Sequence, residues 1–375
     1  MKKLYLHMGF HKTATSSFQA TCKKNIDKLI DAGIVYPLFN SVQAKTKNIA
    51  NHSIPFFSLY SGHAVNYHIN VNWKVEDVSA LNQDYKAEWQ RCLSLGFNII
   101  ISGEDISYLN ENALKELKNV IEYYDYDIIP IAVVRSPYEF SCSASQQMIM
   151  GGSQASVTAF HSQIGKINRI KSVFPKTEFI PFKQSCEHEL GPVGFLLDKV
   201  GVNPEDFIIF DTNEGVSNAL VRAQATINRD TSRIVDGRSN DNWRSLRNKD
   251  AGCFNSKFLL TEEEFETIRE DIEKENQWFN DILGEAFTDK SIKFSDSSTV
   301  YDELATYLLT PEDLKDKDAD SLRDAAIQLE HTDMNLALNL MKLASKARPH
   351  GPFIKRKLAY YRKVLSEKTT EHNDE

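Results

Sequence analysis

The chain has few cysteines and no pattern among them. Cys22, Cys92, Cys142, Cys186 and Cys253 are five in 375 residues, an odd number at wide spacing with no C-x-x-C. That argues against a disulfide framework and a thiolate zinc site, and it makes reduced thiols in a cytoplasmic protein the expectation. Long apolar runs are also absent: no stretch approaches the roughly 18 apolar residues of a membrane span. The opening MKKLYLHMGFHK begins with two lysines, as a signal peptide does. Its apolar run is broken by His7 and ended by Lys12, short of the usual core of about 7–15 residues. Positive charge is not in excess: 44 Lys and Arg stand against 52 Asp and Glu, a formal net charge of −8. Proteins that grip nucleic acid usually carry a basic domain, so no nucleic-acid partner is expected. A local basic pocket for a small anion stays open.

Two further absences concern chemistry. No G-x-x-x-x-G-K-[ST] occurs: Lys12 follows Gly9 by three positions, and Ala14 stands where a second glycine would. No D-x-D and no acid of the Walker B kind stands out after a strand, and no ligand cluster for a metal is visible. A nucleoside triphosphate hydrolase is disfavoured, and no metal is expected.

What is present reads as a globular enzyme. Hydrophobic content of 41% and charged content of 26% are ordinary and suffice for a sizeable core. The length suits one large domain, or a large domain plus a small one. Lys3–Met8 has β character, Gly9–Thr15 is a loop, and from Ser16 the apolar residues Phe18, Cys22, Ile26, Leu29 and Ile30 fall on one helical face, with Gly33 at the C-cap. Unbroken apolarity predicts buried strands at Phe97–Ile101 and Ile128–Val134. Further strands are expected near Glu178–Phe182 and at Phe207–Phe210. Helices are expected over Ala113–Tyr124, from Ser136 and Pro137 toward Met150, near Val193–Val200, around Ser217–Asn228 and over Thr261–Leu283. Strands alternating with helices predict an α/β fold with a P-loop-like, mainly parallel sheet flanked by helices.

Asn40–Asp84 reads as loops and short helices, Arg229–Lys257 as a polar flap, and Lys290–Thr299 as a linker. Beyond it lies a small all-helical appendage. Leu322–Leu329 and Leu336–Ala347 look like one tetratricopeptide-type pair, and Ile354–Leu365 is a third helix; one copy is no array. Residues 366–375 are expected to fray. The division expected is 1–289 for the main domain and 300–375 for the helical region. That region is a candidate dimer or partner contact.

Two segments carry chemistry. In G-F-H-K-T-A-T-S-S-F-Q, a strand delivers the chain into a loop and a helix begins at once. The first helical amides lack intrahelical partners and the helix dipole is positive there, so the turn is an anion site. Lys12 can reach over a bound anion as a point charge, and Thr13, Thr15 and Ser16 offer hydroxyls. In I-A-V-V-R-S-P-Y-E-F-S-C-S, Arg135 leaves the C-terminal end of a strand, where open α/β sheets bind ligands. Its fork can grip a phosphate with two donors. Ser143 lies about two helical turns further on, with Ser141 as a competitor.

The first segment resembles the 5′-phosphosulfate loop of sulfotransferases that use 3′-phosphoadenosine-5′-phosphosulfate (PAPS). Lys12, Thr13, Thr15, Ser16 and Phe18 match that pattern. Ala14 replaces its usual glycine, which demands a negative φ there or tolerance of strain. The second segment resembles the 3′-phosphate motif of the same family, with Arg135 and Ser143 at matching spacing. I-D-K-L-I-D-A-G-I-V-Y-P, F-L-L-D-K-V-G-V and N-E-G-V-S look familiar from bacterial members, so the resemblance spans about residues 1–285. It implies PAPS as donor, 3′,5′-adenosine bisphosphate (PAP) as product, and sulfuryl transfer to a hydroxyl. The implied acceptor is a carbohydrate or glycan. Gly9, His11, Lys12, Thr13, Ala14, Thr15 and Ser16, with Arg135 and Ser143, are the implied cofactor residues.

Sulfuryl transfer resembles phosphoryl transfer: the protein positions the groups in line and neutralises charge, here with Lys12 on the leaving phosphate. A base must take the acceptor proton. Ser102 and Glu104 match an S-x-E segment of some carbohydrate sulfotransferases. Glu104 is thus the expected base, or else it or Asp105 caps the next helix. His52 is the second candidate base, and His7 is expected in the core. Phe56, Phe57, Tyr60, Tyr67 and Trp73 could stack on sugar rings or belong to the core. Two other readings stay open, an ATP-dependent kinase-like enzyme and a non-catalytic binding protein.

Overall fold

The structure is a computed structural model that describes residues 2–153, 160–210, 216–235, 238–240, 243, 245–246, 256–295 and 314–371. The chain divides into two compact units. One comprises Met1–Ala144, Ala159–Glu214 and Ile268–Ile292; the other comprises Ser145–Thr158, Gly215–Thr267 and Lys293–Glu375.

The first unit is built on a five-stranded sheet in the order β2-β3-β1-β4-β5. Its strands are β1 (Lys2–His7), β2 (Ile34–Val35), β3 (Asn98–Ser102), β4 (Tyr126–Val134) and β5 (Glu178–Pro181). Every pairing is parallel, with Leu4 opposite both Ile99 and Ile128. Alternation sorts the core onto two faces. Leu4, Leu6, Ile99, Ile101, Ala132 and Val134 pack on one side with α5 (Val78–Ser94), α6 (Glu111–Tyr123) and α8 (Ile164–Val173). Tyr5, Ile100, Ile131, Val133 and Ile180 pack on the other with α1 (Thr15–Lys24), α2 (Ile26–Asp31) and α10 (Gly191–Lys199). The expected α/β, P-loop-like parallel sheet between helices is the observed fold.

Several details differ from expectation. The helix predicted from Ser16 toward Gly33 breaks at Asn25, whose side-chain amide donates to Thr21 O at 2.8 Å and to Ile208 O at 2.9 Å. Asn25 Oδ1 also accepts from Ile208 N at 3.0 Å, and Thr21 Oγ1 accepts from Phe210 N at 3.0 Å. Phe207–Phe210 is therefore no sixth strand. Its alternation is real, with Phe207 and Ile209 against the core and Ile208 exposed, but side chains of α1 take the backbone bonds a ladder would have made. Asn40–Asp84 holds α3 (Ser53–Tyr60), α4 (His68–Trp73) and the start of α5, a 17-residue helix not anticipated there. Asp77 caps α5 by accepting from Ala80 N at 2.9 Å, and Leu81, Tyr85, Trp89 and Cys92 form its buried stripe.

α7 (Pro137–Met150) starts with Pro137 as predicted, but its cap comes from afar. Asp289 accepts from Tyr138 N at 2.8 Å and from the Ser136 hydroxyl. α9 (Phe182–Cys186) follows β5 directly.

In the second unit, α11 (Asn218–Asp230) is capped by Ser217, and Asn228 on it donates to Ile149 O and Ser153 O. The hairpin of β6 (Ile234–Val235) and β7 (Arg238–Ser239) lies in the expected flap; much of 229–257 is outside the described residues, as are 296–299 of the expected linker. The single helix predicted over Thr261–Leu283 is two, α12 (Glu262–Glu266) in the second unit and α13 (Arg269–Ile282) in the first. Thr261 and Glu264 form a capping box at the start of α12. α14 (Asp318–Leu329), α15 (Met334–Ala347) and α16 (Pro352–Glu371) bury Ala319, Ala326, Ala337, Met341, Ala344, Ile354 and Tyr361 together. Among the described residues no helix is long and apolar enough to cross a membrane.

Asn25→Ala removes the amide that satisfies both backbone groups of Ile208. Denaturant unfolding should show a loss of about 2 kcal/mol. A loss below about 0.5 kcal/mol would show that water replaces those bonds freely.

Candidate active site

The loop after β1 is held onto β4 beyond the last strand residue. Met8 N donates to Ile131 O at 2.9 Å, Phe10 N to Val133 O at 2.6 Å, and Val133 N to Gly9 O at 2.6 Å. Gly9 has φ +84, and a Cβ there would lie 2.9 Å from both Cα and Cβ of Glu104. Only glycine allows that approach, which brings the loop against the segment carrying the candidate base.

Thr13 and Thr15 are buried, and both hydroxyls donate to the Phe10 carbonyl, at 2.5 and 3.4 Å. They brace the loop, where donation to a ligand had been expected. Ser16 is exposed in the first turn of α1. Ala14, the N-cap, has φ 62 and ψ 19, so it takes the strained alternative of the two the sequence allowed. Lys12 has φ 67. The N-terminus of α1 has no side-chain cap, which leaves its amides and dipole open to an anion.

Arg135 stands at the C-terminal end of β4, beside this loop. Its Nε donates to Lys12 O, and its guanidinium lies 4.0 Å from the centre of the Phe182 ring. It has no carboxylate partner among the described residues, and burial lowers its pKa. Ser141 donates to Pro137 O at 2.9 Å within α7, whereas the half-buried Ser143 makes no such bond among the described residues. The start of α1, without a side-chain cap, and the Arg135 guanidinium, without a carboxylate partner among the described residues, are groups able to hold anions.

Glu104 opens a 3-10 turn, Glu104–Tyr108, straight after β3. Gln19 Nε2 stands 3.5 Å from its Oε2 and donates to Ser102 O at 2.9 Å. Burial raises the Glu104 pKa, and a bond with Ser53 and the His11 ring only partly offset this. Asp105 differs. Burial pushes it up, but bonds from His11 and Tyr67 outweigh that and hold it below its ordinary value. His11 Nε2 lies 3.0 Å from Asp105 Oδ1, and Tyr67 Oη donates to Oδ2 at 2.7 Å. Adjacent carboxyls are thus driven in opposite directions, a pattern that suits a base next to a fixed anion.

His52 is not placed as a base. It is fully buried; Ser102 N donates to Nδ1 at 2.9 Å, so Nε2 carries the proton and donates to Pro37 O at 2.7 Å. Burial lowers its pKa to about 4, and no ring nitrogen is left for a substrate. His7 is core, as expected, with Nδ1 2.9 Å from Ser102 Oγ and a pKa lowered by burial to about 4. Phe56 and Tyr67 are buried, and Phe57, Tyr60 and Trp73 pack against the same core, so this aromatic stretch is no exposed platform for sugars.

The sequence reading passed over Gln19, Gln163 and Lys166. Gln163 donates to Arg135 O at 3.0 Å, and Lys166 stands 5.4 Å from the centre of the Phe10 ring. An uncompensated lysine on the apolar face of α8 was the available signal. Among the described residues no three His, Cys, Asp or Glu side chains are grouped to hold a metal ion. A cleft lined by Lys2, Asn98 and Tyr126 lies at the opposite, N-terminal edge of the sheet.

No protein-family model and no curated sequence matches this chain. A sulfotransferase of known structure from Alicyclobacillus acidocaldarius is similar over 61% of this chain and 92% of its own, at 14% identity and a TM-score of 0.34. Likeness at that level carries no argument about activity.

Ala14→Gly should raise stability by about 1 kcal/mol in thermal unfolding, because a left-handed alanine is strained. An unchanged or lower melting temperature would refute that strain. A second expectation concerns pH. His7 and His52 have pKa values near 4 in the fold against 6.5 for an ordinary histidine, so the unfolded chain binds protons first on acidification. Stability should fall from about pH 6.5 toward about pH 4, by up to about 1.4 kcal/mol per pH unit per histidine. His52→Gln should flatten that slope in chemical unfolding at pH 7 and pH 5; an equal slope would place the titration elsewhere.

Proposed function

We propose that the chain is a sulfotransferase that moves a sulfuryl group from PAPS to an acceptor hydroxyl. The observation that carries this reading is the pairing of a helix N-terminus without a side-chain cap behind Lys12 with Arg135, a guanidinium without a carboxylate partner among the described residues, at adjacent ends of β1 and β4. The quoted loop and R-S-P segments support it.

PAPS supplies a sulfuryl group bonded to a phosphate that leaves readily. The α1 amides, Lys12 and Ser16 would hold the 5′ phosphate, and Arg135 and Ser143 the 3′ phosphate. Thr13 and Thr15 keep the loop in shape. Glu104, its pKa raised by burial and its main chain pressed against Gly9, would take the acceptor proton. His11 and Asp105 sit beside it as an oriented pair. The acceptor we infer is a carbohydrate or glycan, on the strength of the S-x-E resemblance. The five cysteines stand at wide spacing with no C-x-x-C, which supports a reducing compartment such as the cytoplasm. Residues 1–289 would carry the reaction, and the helices of 300–375 would serve as a contact surface.

Calorimetric titration with PAP and with ATP, with and without Mg²⁺, tests the reading in wild type, Lys12→Ala and Arg135→Ala. Metal-independent PAP binding, weakened at least about tenfold in each variant, is expected. Metal-dependent ATP binding in place of PAP binding would favour a kinase-like enzyme instead. With an acceptor in hand, Glu104→Gln should lower kcat by about 10²–10⁴ while PAP affinity holds. Full activity in that variant would remove Glu104 from the chemistry.

A further inference from the structure

Lys166 is a charged residue in an apolar place. It lies on α8, 7% exposed, and its ammonium stands 4.0 Å from the Tyr108 ring centre, 5.4 Å from Phe10 and 5.5 Å from Phe140. No hydrogen bond or ion pair to it forms among the described residues. Aromatic faces attract a cation but do not accept its protons as a carboxylate does.

The surroundings repeat the pattern. Arg169 is three positions further along the helix; one guanidinium nitrogen donates to Ser107 O at 3.4 Å, while its Nε is buried with no acceptor among the described residues. Gln163 Oε1, Glu275 Oε2 and His11 Nδ1 are also buried with no hydrogen-bond partner among the described residues. Such groups are rare in folded proteins, and each calls for a cause. Residues three apart on a helix are neighbours, so the two cations repel. Burial and then Arg169 lower the Lys166 pKa to about 8, against an upward pull from Glu275 and Asp105 through space.

Position suggests what would settle this cluster. Its aromatic neighbours come from the segments that carry the candidate site. Phe10 is in the loop, Phe140 follows Arg135 on α7, and Tyr108 ends the turn opened by Glu104. Tyr108 also packs edge-on to His11, with ring centres 5.0 Å apart. The cation pair packs on the turn that bears the candidate base, where the acceptor and the group in flight must meet.

We propose that Lys166 and Arg169 form an oxyanion subsite on the Glu104 side of the site. It receives either the sulfonate being transferred or an anionic group of the acceptor. The proposal rests on the sulfuryl-transfer reading, and its test separates the two.

The full chain, as wild type, Lys166→Gln and Lys166→Met, is titrated with PAP and with PAPS. In the presence of PAP it is also titrated with a uronic-acid disaccharide and with the carboxyl-reduced form of that disaccharide. PAP affinity should stay within about twofold of wild type in both variants. Either the preference for PAPS over PAP or the preference for the acidic disaccharide should fall at least about tenfold. Loss of the first assigns the subsite to the sulfonate, loss of the second to the acceptor. Lys166→Met should also melt higher than wild type, because a buried charge without a partner is removed; a merely structural lysine would give the reverse. Both preferences unchanged by the substitutions, or absent in wild type, would overturn the subsite. So would a lower melting temperature with PAP binding lost in parallel. Absence of PAP binding to wild type would overturn the sulfuryl-transfer reading, and the subsite with it.

Discussion

The loop after β1 depends on a short continuation of the sheet. Gly9 and Phe10 exchange backbone bonds with Val133 after β1 has formally ended, and the Arg135 side chain, two residues further along β4, closes onto Lys12 O. Backbone ladder bonds fix direction as well as distance, so the loop leaves the sheet at one angle. The start of α1, the Lys12 backbone and the Arg135 guanidinium take their places from that stitch. Thr13 and Thr15 then tighten the turn on the Phe10 carbonyl. Strain at Ala14 and Lys12 is tolerated because β1 with its bonds to β4 on one side and α1 on the other over-determine the path between them.

Around this frame the site divides by electrostatics. Toward α1 and β4 lie open amides and a guanidinium, groups that favour negative charge. Toward β3 lie Glu104 and Asp105, one driven toward neutrality by burial and the other held ionised by its donors. Gln19 and His11 sit between the two halves, each touching this acidic segment from α1 or the loop. The two kinds of group thus belong to different strands and meet where β1 runs between β3 and β4.

Much of this was legible in the sequence. β3 and β4 announce themselves by unbroken apolarity, because a strand covered on both faces has no polar side to show, and β1 and β5 show as shorter segments of β character. β2 does not, since two residues carry no period; Gly33, with φ 74, and its bond from Asn98 N create it. Phe207–Phe210 alternates like a strand and is claimed by Asn25 and Thr21, partners far away along the chain. His52 looked available as a base because its binding partners, Pro37 O and Ser102 N, are backbone groups that no motif records. Asp289 caps α7 across more than half the first unit's sequence, and Lys166 is unusual only once its neighbours are known to be rings. Local pattern reveals elements and loops; it does not reveal which long-range bond a side chain has already made.

The approach of Gly9 to Glu104 has a consequence for how this site can change. One hydrogen atom separates the loop from the acid's own main chain, and the β4 bonds prevent the loop from backing away. The gap between the Gly9 loop and the Glu104 main chain is therefore a fixed gauge, set by covalent geometry and not by side-chain choice. Sequence change around it has to proceed at other segments, while the gauge stays as it is.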